Sequence, residues 1–89
     1  MDKRLLDKKV IVTGGSRGIG AGIVERLFQE GAEIIIADIK KEEAQKLIEN
    51  FNTNKITFYE TNLSEENQII KLIDFAKDKW GLLDILINN

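Results

Sequence analysis

The stretch Val10-Ile11-Val12-Thr13-Gly14-Gly15-Ser16-Arg17-Gly18-Ile19-Gly20 joins a β-branched run to a glycine cluster, and the residues beyond it repeat with helical spacing. A continuous apolar, β-branched run suits a strand covered on both faces. Ile19, Ile23, Leu27 and Phe28 follow at the spacing of one helix face, and Gly31 supplies a stop. The stretch therefore reads as strand, turn, helix. A helix N-terminus carries unpaired backbone N–H groups that attract anions, and glycine lets an anion reach them. Gly14, Gly18 and Gly20 serve that approach and the positive-φ positions of a tight turn. Ser16 adds a hydroxyl, Arg17 a positive charge, and Ile19 lies in the same bend. The spacing Gly-x3-Gly-x-Gly departs from the Gly-x-Gly-x-x-Gly dinucleotide fingerprint. Ala21-Gly22 stand where a P-loop needs Lys and then Ser or Thr. A tight glycine turn with no ligand is the competing reading, and the strand before and helix after it weigh against that reading.

Further apolar runs lie within Glu33 to Asp38 (Ile34-Ile35-Ile36), Ile56 to Glu60, and Ile85-Leu86-Ile87. Between them, Ala44, Leu47, Ile48 and Phe51 mark a second helix, with Glu42 and Glu43 at its start, where the helix dipole favours acids. Ile69, Leu72, Ile73, Ala76 and Trp80 mark a third. Ser64 is placed to cap it, Glu65 and Glu66 fill its first turn, and Gly81 ends it. The pattern β-α-β-α-β-α-β predicts a doubly wound α/β parallel sheet of four strands in the order 3-2-1-4 with three helices. It forms one folding unit over residues 1–89.

Composition narrows the chemistry. The 89 residues carry a net charge of −2 with no Cys and no His, which removes disulfides, thiol nucleophiles, thiolate metal sites and imidazole catalysis. The 13 Lys and Arg are scattered, so no nucleic-acid footprint is expected. No apolar run approaches the ~18 residues of a membrane span, and Met1-Asp2-Lys3-Arg4 leads into no signal-peptide core. The expectation is a cytoplasmic chain without a membrane partner or a metal site.

Thr13 to Gly20 resembles the Thr-Gly-x-x-x-Gly-x-Gly cofactor motif of the short-chain dehydrogenases/reductases. Asp84-Ile85-Leu86-Ile87-Asn88-Asn89 resembles that family's Asp-Ile-Leu-Val-Asn-Asn-Ala-Gly stretch, cut after its second Asn. The resemblance covers all of this chain and the first part of a family member, and is nearest to the 3-oxoacyl-carrier-protein-reductase-like branch. It implies the amino-terminal part of a Rossmann-type, dinucleotide-binding domain, truncated after strand four. The longer enzyme would move a hydride between NAD or NADP and a small carbonyl or alcohol substrate. By the same resemblance Asn62 and Leu63 hold adenine, through a side-chain oxygen and a backbone N–H. Asn89 contributes near the nicotinamide-side ribose, and Asn88 braces strand four. Asn62 is read equally well as a turn residue before Ser64.

Asp38 closes strand two, where a carboxylate accepts hydrogen bonds from both adenosine-ribose hydroxyls. It also repels a 2′-phosphate, since two anions within about 4 Å cost on the order of 4 kcal/mol at an effective dielectric of 20. A basic residue at Arg17 accompanies NADP in the family, but Ile39 follows Asp38 where a second basic clamp would stand, and Lys40 and Lys41 read as solvated. The expected cofactor is NAD in preference to NADP. A role for Asp38 as a helix cap or loop residue stays open.

The family's catalytic Tyr-x-x-x-Lys pair and Ser lie beyond strand four. Tyr59 falls on strand three with Leu63 four places on, and Ser16 and Ser64 belong to the turn and the cap. No catalytic residue is assigned, and the 89 residues alone are expected to be inactive. Leu83, Ile85, Leu86 and Ile87 on an open edge, with Ile70 and Phe75 outside the main helix stripe, predict homo-oligomer formation or self-association. Rival readings are a stand-alone or designed nucleotide-binding module without catalysis, and a flavodoxin-like or phosphate-binding α/β protein.

Overall fold

A computed structural model describes residues 4–16 and 18–89. Its elements run β1 (Lys9–Thr13), α1 (Gly18–Gln29), β2 (Glu33–Asp38), α2 (Lys41–Phe51), β3 (Ile56–Glu60), α3 (Glu66–Trp80) and β4 (Ile85–Asn88). The four strands pair in parallel in the order β3-β2-β1-β4, as the alternation of runs and helices predicts. Val10, Ile11 and Val12 of β1 and Ile34, Ile35, Ile36 and Ala37 of β2 are wholly buried. Central strands of a sheet covered on both faces have no polar side, which is why these runs are continuous and not alternating. The edge strands β3 and β4 are covered less completely.

Successive side chains of a strand point to opposite faces, so the sheet divides the core in two. One layer gathers Val10, Val12, Ile34, Ile36 and Ile56 against Val24 of α1 and Ala44 of α2. Phe28 of α1 meets Phe51 of α2 edge-on, ring centres 5.0 Å apart. The other layer sets Ile11, Ile35 and Ala37 against Leu72 and Ala76 of α3. Gly31 (φ 93°) follows α1, and Gly81 (φ 78°) closes α3 with its N–H bonded to the Lys77 carbonyl at 2.7 Å.

Three expectations need correction. Ser64 does not cap α3. The Asn62 side-chain oxygen accepts both the Ser64 N–H (3.0 Å) and the Ser64 hydroxyl (2.7 Å), and the helix begins at Glu66 behind Glu65, which makes no side-chain cap. Ile19 is not part of the buried stripe of α1, for it is 79% exposed on the first turn. Phe75 does not wait for an outside neighbour either, because Tyr59 of β3 stacks on it with ring centres 4.4 Å apart.

Among the described residues no helix is long and apolar enough to cross a membrane, and no group of three metal-ligating side chains gathers.

Candidate functional site

All the sequence-predicted site residues that the structure describes lie at the carboxyl ends of the strands or in the turn and helix start that follow β1. In an open α/β sheet that end is where loops from several strands converge on a ligand. The first loop is the glycine turn. Gly14 takes φ 64° and Gly18 φ 61°, backbone that side-chain-bearing residues rarely adopt. Gly20 is required for another reason: a methyl there would lie 1.9 Å from the Gly14 carbonyl oxygen. The start of α1 is thus pressed directly onto the turn, and Gly18, Ile19 and Gly20 form its first turn, whose N–H groups have no partner within the helix. Arg17 lies outside the described residues.

The Gly14 N–H donates to the Ala37 carbonyl at 2.9 Å, which holds the turn beside the end of β2. There Ser16, almost fully buried, donates its hydroxyl to Asp38 Oδ2. Asp38 Oδ1 accepts the backbone N–H groups of Ile39 (2.7 Å) and Lys40 (3.2 Å). Partial burial pushes the Asp38 pKa up, but the Ser16 hydroxyl and the backbone donors of Ile39, Lys40 and Ser16 outweigh it. The carboxyl is held below its ordinary value and carries a charge at neutral pH. Asp38 thus satisfies loop amides ahead of α2, whose cap position is Lys40.

A cavity of about 240 Å³ opens between Gly14, Ala37 to Ile39, Thr61 to Ser64, and Asn89. Ile39 and Leu63 are exposed apolar side chains on its walls. Asn62 uses its side-chain oxygen on Ser64 and gives its backbone N–H to Gln68 Oε1 at 2.6 Å. A ligand seeking the Asn62 oxygen competes with these two bonds. Asn89 donates its side-chain amide to the Gly14 carbonyl at 3.3 Å and its backbone N–H to Thr13 Oγ1 at 3.0 Å. It therefore sits over the glycine turn, between β1 and β4, where the strand order reverses.

Sequence reasoning missed the part played by Thr13. Its buried hydroxyl has its one hydrogen within reach of Asn88 Oδ1 (3.0 Å) and the Ile87 carbonyl (3.3 Å), and it also accepts from Asn89. The signal was available in the parallel register, which sets Thr13 opposite Asn88. Gln68 and Thr61 were missed as well. Thr61 donates its hydroxyl to the Tyr59 carbonyl at 3.1 Å, and Gln68 reaches back to the Asn62 N–H from the first turn of α3.

The family model for short chain dehydrogenases matches residues 8–89. The chain is 39% identical over 97% of its length to (+)-borneol dehydrogenase 2 of Salvia officinalis, covering 31% of that protein. It is 38% identical over 100% of its length to the 3-oxoacyl-acyl-carrier-protein reductase FabG of Chlamydia pneumoniae, covering 37% of it. It spans about a third of the length of the curated relatives it matches. The crystal structure of a 3-ketoacyl-(acyl-carrier-protein) reductase from Brucella melitensis complexed with NADH superposes with a TM-score of 0.85 at 27% identity, over 92% of this chain and 33% of that one. With its motifs at the ends of β1 and β4 and its strand order matched throughout, the chain belongs to the short-chain dehydrogenase family.

Proposed function

We propose that this chain binds NAD and forms the cofactor-binding part of a short-chain oxidoreductase acting on a carbonyl or alcohol substrate. The observation that carries the reading is the meeting, at one end of the sheet, of the glycine turn, the Asp38 carboxylate and the cavity that runs from Asp38 to Leu63. Relatives named as a dehydrogenase and a reductase, and a structural neighbour complexed with NADH, support a nicotinamide dinucleotide.

The residues present fit such a group. The first-turn N–H groups of α1 would take the paired phosphates, with Gly14, Gly18 and Gly20 keeping side chains out of the way. Asp38 would accept from the adenosine ribose, and its fixed charge disfavours a 2′-phosphate, hence NAD over NADP. Ile39 and Leu63 offer apolar walls to adenine, with Asn62 beside them. Asn89 would stand toward the nicotinamide-side ribose. The cofactor itself supplies the hydride-accepting ring. Tyr59 is committed to β3 and stacked on Phe75, with Leu63 four residues on, so it is not the tyrosine of a Tyr-x-x-x-Lys pair. The 89-residue chain alone is expected to turn over no substrate. The same reading includes association through the open edge of β4.

Calorimetric titration with NAD and NADP tests the proposal. NAD is expected to bind more tightly, and Asp38→Ala is expected to narrow the ratio of the two affinities by about tenfold or more, the value of one hydrogen bond to a charged group. An unchanged ratio overturns the role of Asp38. Failure of both dinucleotides to bind overturns the site.

A further inference from the structure

Ser16 and Asp38 belong to different strand ends, yet the Ser16 hydroxyl donates to Asp38 Oδ2 from a position only 4% exposed. A carboxylate offers about four acceptor positions. Ile39 and Lys40 take two on Oδ1, and Ser16 takes one on Oδ2. The Ser16 backbone N–H donates to the carboxylate as well, which fills the fourth. Accepting ribose hydroxyls therefore requires backbone bonds to give way, the first being the longer of the Oδ1 bonds, that from Lys40 at 3.2 Å. Among the described residues no Lys or Arg comes within ion-pair distance of Asp38, and it is hydrogen bonds from these residues that direct its carboxylate. A serine hydroxyl has a single hydrogen. While it is given to Asp38 it is withheld from any phosphate.

Resting on the role of Asp38 proposed above, we infer that Ser16 is a positioning residue for cofactor choice. Its hydroxyl fixes the direction of the Asp38 carboxylate while the longer Lys40 bond yields to ribose, and keeps the hydroxyl of the turn from serving a 2′-phosphate. Removing that hydroxyl frees the carboxylate to turn without removing its charge. NADP stays disfavoured, and NAD loses the fixed acceptor it binds.

Two measurements on the 89-residue chain test this. The first follows the Asp38 carboxyl by NMR pH titration without any dinucleotide. Ser16→Ala is expected to raise the pH at which Asp38 titrates while leaving amide shifts distant from the turn in place. An Asp38 that titrates at the same pH in both proteins overturns the inference. The second is a cycle of NAD affinities with Ser16→Ala, Asp38→Ala and the double variant. Ser16→Ala alone is expected to weaken NAD by about three- to tenfold with little change for NADP, and to add nothing once Asp38 is gone. Equal losses in both backgrounds show that Ser16 acts by itself and overturn the inference. If Asp38→Ala leaves the NAD to NADP ratio untouched, the proposed role of Asp38 fails, and the titration still decides whether Ser16 holds it.

Discussion

At the scale of single residues, the glycines of this chain do different work and should not respond alike to the same change. A methyl at Gly20 meets the backbone oxygen of Gly14 at 1.9 Å, whereas a methyl at Gly22, two residues further along the same helix, meets nothing within 4 Å. Gly20→Ala must push α1 off the turn, and overpacking of this kind costs about 1–3 kcal/mol. Gly22→Ala removes a flexible residue from an exposed helix interior and is expected to stabilise by about 0.5–1 kcal/mol. Urea unfolding of the two variants checks the contrast, which requires midpoints that move in opposite directions. The glycine motif was visible in the sequence because its spacing is local. What the spacing could not give is that Gly20 is needed for contact with Gly14 across the turn, and that Thr13 reaches Asn88 and Asn89 at the far end of the chain.

At the scale of elements, the sheet has a second polar cluster at the end away from the candidate site. Glu33, at the start of β2, accepts the Trp80 indole N–H of α3 at 2.6 Å and pairs with Lys9 of β1 at 3.0 Å. Burial pushes the Glu33 pKa up, but the Trp80 and Lys9 hydrogen bonds and the Lys9 charge more than reverse it, so the net displacement is below the ordinary 4.5. A carboxylate with a lowered folded pKa contributes stability above its unfolded value and loses it as pH falls through the lowered one. Asp38 acts in the same sense. The urea midpoint is therefore expected to hold level down to about pH 5 and to fall below that. Trp80→Phe should lower the unfolding free energy at pH 7 by about 1 kcal/mol and make the acid fall shallower, since the lost donor no longer favours the ionised form. An acid slope identical to that of the parent would mean that the indole bond contributes nothing.

The same scale shows where local reading works. The β-branched runs were legible because burial on both faces leaves no choice of side chain. The start of α3 was misread because Ser64 before Glu65-Glu66 has the composition of a cap, whereas Ser64 turns back to the oxygen of Asn62 and Glu65 takes the cap position. Ile19 was misread because helical periodicity was extended into a first turn whose contact with the glycine bend is made by Gly20, leaving the Ile19 side chain 79% exposed.

At the scale of the whole molecule, β4 pairs with β1 on one side only among the described residues, and Leu86 on it is 54% exposed. An apolar strand edge with unpaired N–H and C=O groups is a template for another strand. Light scattering is expected to give a mass that rises with concentration, and Leu86→Lys to suppress the rise. A constant monomer mass at high concentration would rule the edge out as a contact.

The two layers of the core are also unequal, with α1 and α2 both covering one face of the sheet and α3 alone the other. Deuterium should therefore enter the amides of α3 earlier than those of β1 and β2, through a breathing motion on the single-helix side. Such a motion would leave the glycine bend, on the flank covered by α1, in place, so the chain would fray on one side while the proposed phosphate end of the site keeps its shape.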